Sequence, residues 1–388
     1  MLLKKNIKIS YYEIIYYLAY SIYLMNEILK YSRYSEMLNN NILWIVRLII
    51  ITLLICSQSF IYSINIKEII MMMLLCGVGI LAAITNGSNT SLLIIILFII
   101  CGSKINFRYL IKINMSVLII GWSFVTISSV LGIIENRVYI HHFAETVGYT
   151  YGFNYYSFPT MIIFTVSIIY LVNRDKNCSL YELIIITIIN YIAYTVYSTR
   201  IYFVAIIVYE LYYLFVCKYN IIRLTGILWR IITSWGYFLC GIGTIYIYYF
   251  YDATNITWNQ VNRLVSGRLY LGNRGINIYG IRLLGQEIIM HGNAERVYGN
   301  VVAESNYIDS GYLYTILAYG VVFTVLILMC YTLIMKYLYK KQDKLLYGWI
   351  GLFMIMNIVD NYILKISINP LILLSIVAFK DRDDKTIT

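Results

Sequence analysis

Charge is what this chain has least of. Only 13% of its 388 residues are Asp, Glu, Lys or Arg, about half the share found in a soluble domain, which excludes a soluble globular fold of this length. Proline is scarcer still, with Pro159 and Pro370 alone. They do not occupy corresponding places in two halves, and no internal repeat is visible, which speaks against a transporter built from inverted repeats. Histidine occurs three times, as His141, His142 and His291. Adjacent histidines rarely face one ion and no HExxH-type spacing accompanies them, so neither a metal nor another cofactor is expected. All three lie in polar connections, where a membrane acyltransferase would want one buried. No P-loop, no GxGxxG after a strand and no GxSxG occur, so nucleotide hydrolysis and serine-esterase chemistry find no support.

What remains is apolar. The chain is 61% hydrophobic with a mean hydropathy of +0.73, and several apolar runs reach the length that spans a bilayer. The reading is an all-α polytopic membrane protein with about twelve transmembrane helices, the lipid bilayer its first partner. The expected spans are 11–29, 43–64, 69–85, 92–101, 114–134, 157–172, 181–197, 201–217, 228–250, 312–335, 345–359 and 362–379. They divide the chain into helices one to nine within 1–250, one long loop at 251–311, and three last helices with a tail in 312–388. The first span reads as a signal anchor, since Lys4, Lys5 and Lys8 precede a run lacking a small-residue cleavage site. The net charge of +11 raises the possibility of nucleic acid. In a membrane protein it reads instead as cytoplasmic anchoring charge. With the N-terminus inside, the short outside connections hold only Lys30, Arg33, Arg47, Arg137, Arg200 and Lys365, which places both termini inside and the long loop outside. None of the seven cysteines falls outside, so no external disulfide framework is expected. The 42 tyrosines read as the compositional bias of an AT-rich genome and carry little individual weight.

The long loop holds most of the polar chemistry. Its stretch Asn262 to Gln286 reads as an amphipathic helix lying on the membrane surface, with Ser266 as N-cap and the apolar side supplied by residues such as Leu264, Leu269, Ile276 and Leu284. Arg268 opens its first turn, and Arg274 and Arg282 follow. A helix start carrying an arginine suits a phosphate group; equally, the arginines can rest on anionic headgroups. Arg200, at a tight turn between two spans, either snorkels to the interface or points into a cavity beside those arginines. Near the next span sit Glu304 and Asp309, each a candidate general base if partly desolvated, with Asp309 or Ser310 otherwise serving as a helix cap. His291 is a third candidate base. Within the membrane, Glu210 lies mid-span, whereas Glu13 and Asp360 fall near span ends.

Three strings resemble the motifs of Wzy-type polysaccharide (capsule or O-antigen) repeat-unit polymerases. Ser198-Thr199-Arg200 resembles their (S/T)R element at an outer helix end. Leu264-Val265-Ser266-Gly267-Arg268-Leu269, then Tyr279-Gly280 and Leu284-Gly285-Gln286, resembles the L-x-S-G-R-L … Y … G-Q run of the Gram-positive enzymes. Tyr307-Ile308-Asp309-Ser310-Gly311-Tyr312 with Tyr319-Gly320 is similar to the Y-x-D-x-x-Y … G that closes their external loop. The resemblance covers about Tyr197 to Gly320. It implies a GT-C-like fold in a bacterial plasma membrane and a glycosyltransferase that joins undecaprenyl-diphosphate-linked oligosaccharides, without metal. It implies Arg200 and Arg268 on the diphosphate, Arg282 and Arg274 behind them, and Asp309, Glu304 or His291 at the acceptor hydroxyl. The flippase and the chain-length regulator of the same pathway would be its partners, and nucleic acid would not.

Two readings compete with it. A ligase that moves the finished glycan to another acceptor shares the donor and the arginine logic. A lipid-linked oligosaccharide flippase would line a path with mid-span charges, where Glu210 stands nearly alone.

Overall fold

The computed structural model of the chain describes residues 10–61, 65–141, 146–290 and 306–381. Among these, eight helices are long and apolar enough to cross a membrane. They are α2 (Asn40–Gln58), α3 (Ile66–Thr85), α5 (Phe107–Val130), α6 (Ser157–Arg174), α7 (Leu180–Tyr197), α8 (Arg200–Tyr212, prolonged by a π-helical turn to Lys218), α9 (Ile227–Tyr249) and α12 (Gly311–Lys341). Three further helices complete the bundle: α1 (Tyr11–Lys30), α4 (Thr90–Cys101) and α13 (Lys344–Met356). Helices α10 (Ile256–Leu264), α11 (Arg268–Tyr279) and α14 (Ser375–Asp381) lie in and after the polar segments, and α12 packs against α9, α3, α14 and α13. The fold is that of an α-helical membrane protein. One small exception is a two-stranded antiparallel pair, β1 (Val138–His141) with β2 (Thr146–Tyr149), in the connection between α5 and α6.

Among the described residues, four of the expected spans fall short of that length or hydropathy, each for a local reason. Helix α1 is 20 residues long, but its Tyr, Glu13, Glu27 and Lys30 side chains make it less apolar than the others. Glu13 is not an intramembrane charge; it closes a capping box with Ser10 at the helix start. Helices α4 and α13 have 12 and 13 residues, short of the ~20 that cross a hydrocarbon core. The last expected span, 362–379, is not one helix. Pro370 lacks an N–H and disfavours helical backbone at Asn369. The chain therefore runs irregularly to a 3-10 turn at Pro370–Leu374 and then into α14.

That irregular segment is buried, and its backbone groups need partners inside the protein. Tyrosines supply many of them. The hydroxyls of Tyr248, Tyr331 and Tyr20 donate to the carbonyls of Ile358 (3.3 Å), Ile363 (2.7 Å) and Ile366 (2.7 Å). Asn114 donates to Ser367 O at 3.1 Å. The short helices are treated likewise: Tyr16 reaches Phe98 O (2.9 Å) on α4, while Tyr237 and Tyr312 reach Ile350 O (3.0 Å) and Met354 O (2.8 Å) on α13. These tyrosines are thus structural parts, whatever the origin of the tyrosine-rich composition.

A second break positions the polar loop. Helix α12 is interrupted at Gly320, where φ is +83°. The segment 280–290 lies across this break: Val321 N and Val322 N donate to Arg282 O (3.1 Å) and Leu283 O (3.2 Å), and Gln286 N donates to Ala318 O (3.1 Å). Gly285, with φ +89°, faces Gly320 so closely that a Cβ on either would run into the other strand's backbone. Asn86, in the turn between α3 and α4, donates to Gln286 O (2.9 Å) and Ala318 O (3.1 Å). The Gly-Gln and Tyr-Gly strings are therefore the two halves of one latch.

Candidate functional site

The amphipathic helix expected over Asn262 to Gln286 is two helices with a sharp turn between them. Ser266 and Gly267 both take left-handed backbone (φ +58° and +82°), so Gly267, not Ser266, stands at the N-cap of α11. That turn aims the first residue of α11, Arg268, back toward the bundle. The helix ends at Gly280, where a positive φ of +66° breaks the ladder, and Arg282 falls in the extended latch.

Ser310 caps α12, its hydroxyl accepting from Leu313 N at 3.4 Å. Asp309 is thereby left without a capping role, and it meets Arg268: Nε stands 3.3 Å from Asp309 Oδ2, with the two side chains 26% and 27% exposed. The approach is an ion pair without hydrogen-bond geometry at Nε, which stays buried with no hydrogen-bonded partner. Nε being sealed, the donors that the guanidinium offers an incoming anion are its Nη groups, whose planar fork matches phosphate oxygens. Burial drives the Asp309 carboxyl up to about 6, Arg268 pulls it down, Asp360 raises it further and Lys365 lowers it. A carboxylate titrating there is a better general base than an ordinary one near 4.

Asp360, which the sequence places merely at a span end, belongs to this cluster. Tyr202 and Tyr362 both donate to its Oδ2, at 2.8 and 2.6 Å, and Asn361 N donates to Oδ1 at 2.8 Å. Asp360 is saturated with hydrogen bonds and Asp309 is not, so the two carboxylates have different parts: Asp360 fixes geometry, Asp309 is free to exchange a proton. Tyr155 and Tyr156, whose hydroxyls bond to each other at 2.8 Å, lie within electrostatic reach of both Arg268 and Asp309, and burial keeps both phenols above their ordinary range. No local signal in the sequence marks Asp360, because its partners Tyr202 and Arg268 arrive from other helices.

The other sequence-derived candidates are dispersed. Arg200 opens α8 after Ser198, whose φ is +54° and whose hydroxyl bonds Val147 O at 2.9 Å. Its side chain is exposed and has no ion pair among the described residues, two positions from the Tyr202 that holds Asp360. Arg274 is half-buried on α11, and the Arg282 side chain is exposed. Glu304 and His291 lie outside the described residues, as do His142 and Glu145. Glu210 is buried on α8, where Thr187 donates to it at 2.7 Å and its other oxygen has no partner. Two other cations of the short connections are engaged elsewhere: Arg33 and Arg137 pair with Glu135 at 2.9 and 3.1 Å. Among the described residues no group of three metal-ligating side chains occurs.

No family model matches the chain, and no curated protein is similar to it.

Proposed function

We propose that the chain is a membrane glycosyltransferase of the Wzy type. It would join undecaprenyl-diphosphate-linked oligosaccharide repeat units at the outer leaflet of a bacterial plasma membrane. The observation that carries this is the Arg268–Asp309 pair: a partly desolvated arginine with unused donors beside a carboxylate lifted to about 6, at the end of a lipid-facing bundle.

The chemistry follows from that pair. The acceptor sugar hydroxyl attacks the anomeric carbon of the donor glycan. The C–O bond to undecaprenyl diphosphate breaks, and both bonding electrons leave with the diphosphate. Arg268 meets the charge that grows on the leaving oxygen, an interaction stronger in the transition state than in the ground state. Asp309 takes the acceptor proton. Following the resemblance, Arg200, exposed at the head of α8, would meet the second phosphate, with Arg274 and Arg282 behind it. Asp360, Tyr202 and Tyr362 position the segment that carries Asp309, since Gly311 N donates to Asp360 O at 3.1 Å.

The test is polymerisation by the purified protein given lipid-linked repeat units alone. A ladder of lengthening glycans, with one undecaprenyl diphosphate released per bond formed, supports the reading. Intact protein that releases no diphosphate from the matching substrate overturns it.

A further inference from the structure

The opposite end of the bundle carries a second basic site. Beyond its break at Gly320, α12 continues to Lys341, about 30 Å at helical rise, so its last turn is far from Asp309. There a groove of about 600 Å³ opens between the start of α5, the end of α6 and the α12–α13 turn. Arg108, Lys112, Lys176, Lys341 and Lys344 line it, against two carboxylates, Asp175 and Asp343.

The carboxylates do not neutralise it. Asp343 is consumed by Arg108, whose Nη2 stands 2.5 Å away, and by capping Leu346 N at 3.1 Å. Lys341 is answered by Asp381 at 3.2 Å, outside the groove lining. Lys112, Lys176 and Lys344 have no carboxylate partner among the described residues; Lys344 binds only the neutral oxygens of Val216 (3.4 Å) and Asn220. Asn173, also in the lining, has a buried side-chain Nδ2 with no acceptor. Three ammonium groups against the one unpaired carboxylate of Asp175, with an unanswered amide donor, leave a net positive charge around one open volume, which suits an oxyanion. A carboxylate would use few of these donors, whereas a phosphate offers several oxygens at once.

We propose that this groove binds a phosphate group at the membrane surface, that of an anionic phospholipid headgroup. Lys112, Lys176 and Lys344 supply the charge and Asn173 a hydrogen bond. A bundle end bearing fixed lysines beside lipid-facing helices meets such headgroups from the bilayer itself. The site is independent of the glycosyl-transfer reading.

The test uses the purified full-length protein in a neutral detergent, with bound lipid counted by native mass spectrometry. Phosphatidylglycerol is compared with phosphatidylcholine, and inorganic phosphate is the soluble competitor. Lys112→Gln with Lys176→Gln is the groove variant, and neither residue has an ion-pair partner to lose. Arg223→Gln with Arg230→Gln removes the same charge from exposed positions just before and in the first turn of α9, at the same end. We expect preferential retention of phosphatidylglycerol, weakened about 30-fold in the groove variant and little changed in the control, with both variants melting like wild type. Displacement by millimolar inorganic phosphate, with the same variant dependence, would keep the phosphate site and assign it to a soluble source. Equal loss in both variants, or no preference for phosphatidylglycerol over phosphatidylcholine, would overturn the proposal.

Discussion

Replacing Arg268 by Gln removes the charge beside Asp309 and keeps much of the side-chain length. In the folded protein Arg268 is the strongest influence lowering the Asp309 carboxyl, which stands at about 6 because burial outweighs it. A pair at this separation interacts by about 5 kcal/mol at an effective dielectric near 20. With each side chain about a quarter exposed, solvent and the hydrogen-bonded Asp360 nearby reduce that. The working range is the ~1–3 pH units by which an arginine neighbour shifts an aspartate. Asp309 should then titrate above its wild-type position of about 6 in Arg268→Gln. The direction is fixed: the wild-type base is active only when ionised, so its rate rises through pH ~6, and the variant's acid limb moves up. The loss of leaving-group stabilisation lowers the whole profile, by about 100–1000-fold for one lost charge-stabilising donor. Limb position and height are thus separate readouts. The assay is a pH–rate profile, supported by infrared titration of the carboxyl stretch that disappears in Asp309→Asn. A variant whose acid limb and carboxyl titration stay where the wild type's are would refute the proposed coupling.

Other substitutions test other links. Asp360→Asn leaves one acceptor oxygen where two tyrosine hydroxyls and a backbone N–H now converge, so turnover should fall about tenfold, and loss of the charge that raises Asp309 should move the acid limb down; disappearance of the acid limb would make Asp360 the base. Gly320→Ala and Gly285→Ala each force a side chain into the latch at positive φ, and a loss of about 1–3 kcal/mol is expected from each in unfolding titrations; unchanged midpoints would remove the latch from the account. Tyr331→Phe leaves the carbonyl of Ile363 unbonded and should cost about 1 kcal/mol, read in the same titration. Glu210→Gln keeps the Thr187 hydrogen bond and should leave polymerisation near wild type; abolition of activity would give Glu210 a role that the site at the helix ends does not.

How much of this was legible in the chain follows the range of the interactions. Hydropathy is local, so the long apolar helices stand out in the sequence. The final apolar stretch misleads, because whether it forms a helix depends on Pro370 and on Tyr20 and Tyr331, which satisfy its carbonyls from remote helices. The loop arginines are visible as composition. Which of them turns inward is decided by two left-handed residues, Ser266 and Gly267, and Ser266 reads more naturally as a cap. Asp309 and Ser310 compete for one cap in the sequence; the backbone gives it to Ser310 and frees Asp309. The pairing of Arg268 with Asp309 across α11 and α12, and the arrival of Asp360 beside them, are tertiary facts with no local signature.

The most direct measurement is glycan polymerisation by purified wild type, Arg268→Gln and Asp309→Asn, with the lipid-linked repeat unit as sole substrate and folding checked by melting. The account expects a ladder and stoichiometric diphosphate release from the wild type alone. A ladder of wild-type length and rate from either variant would contradict it.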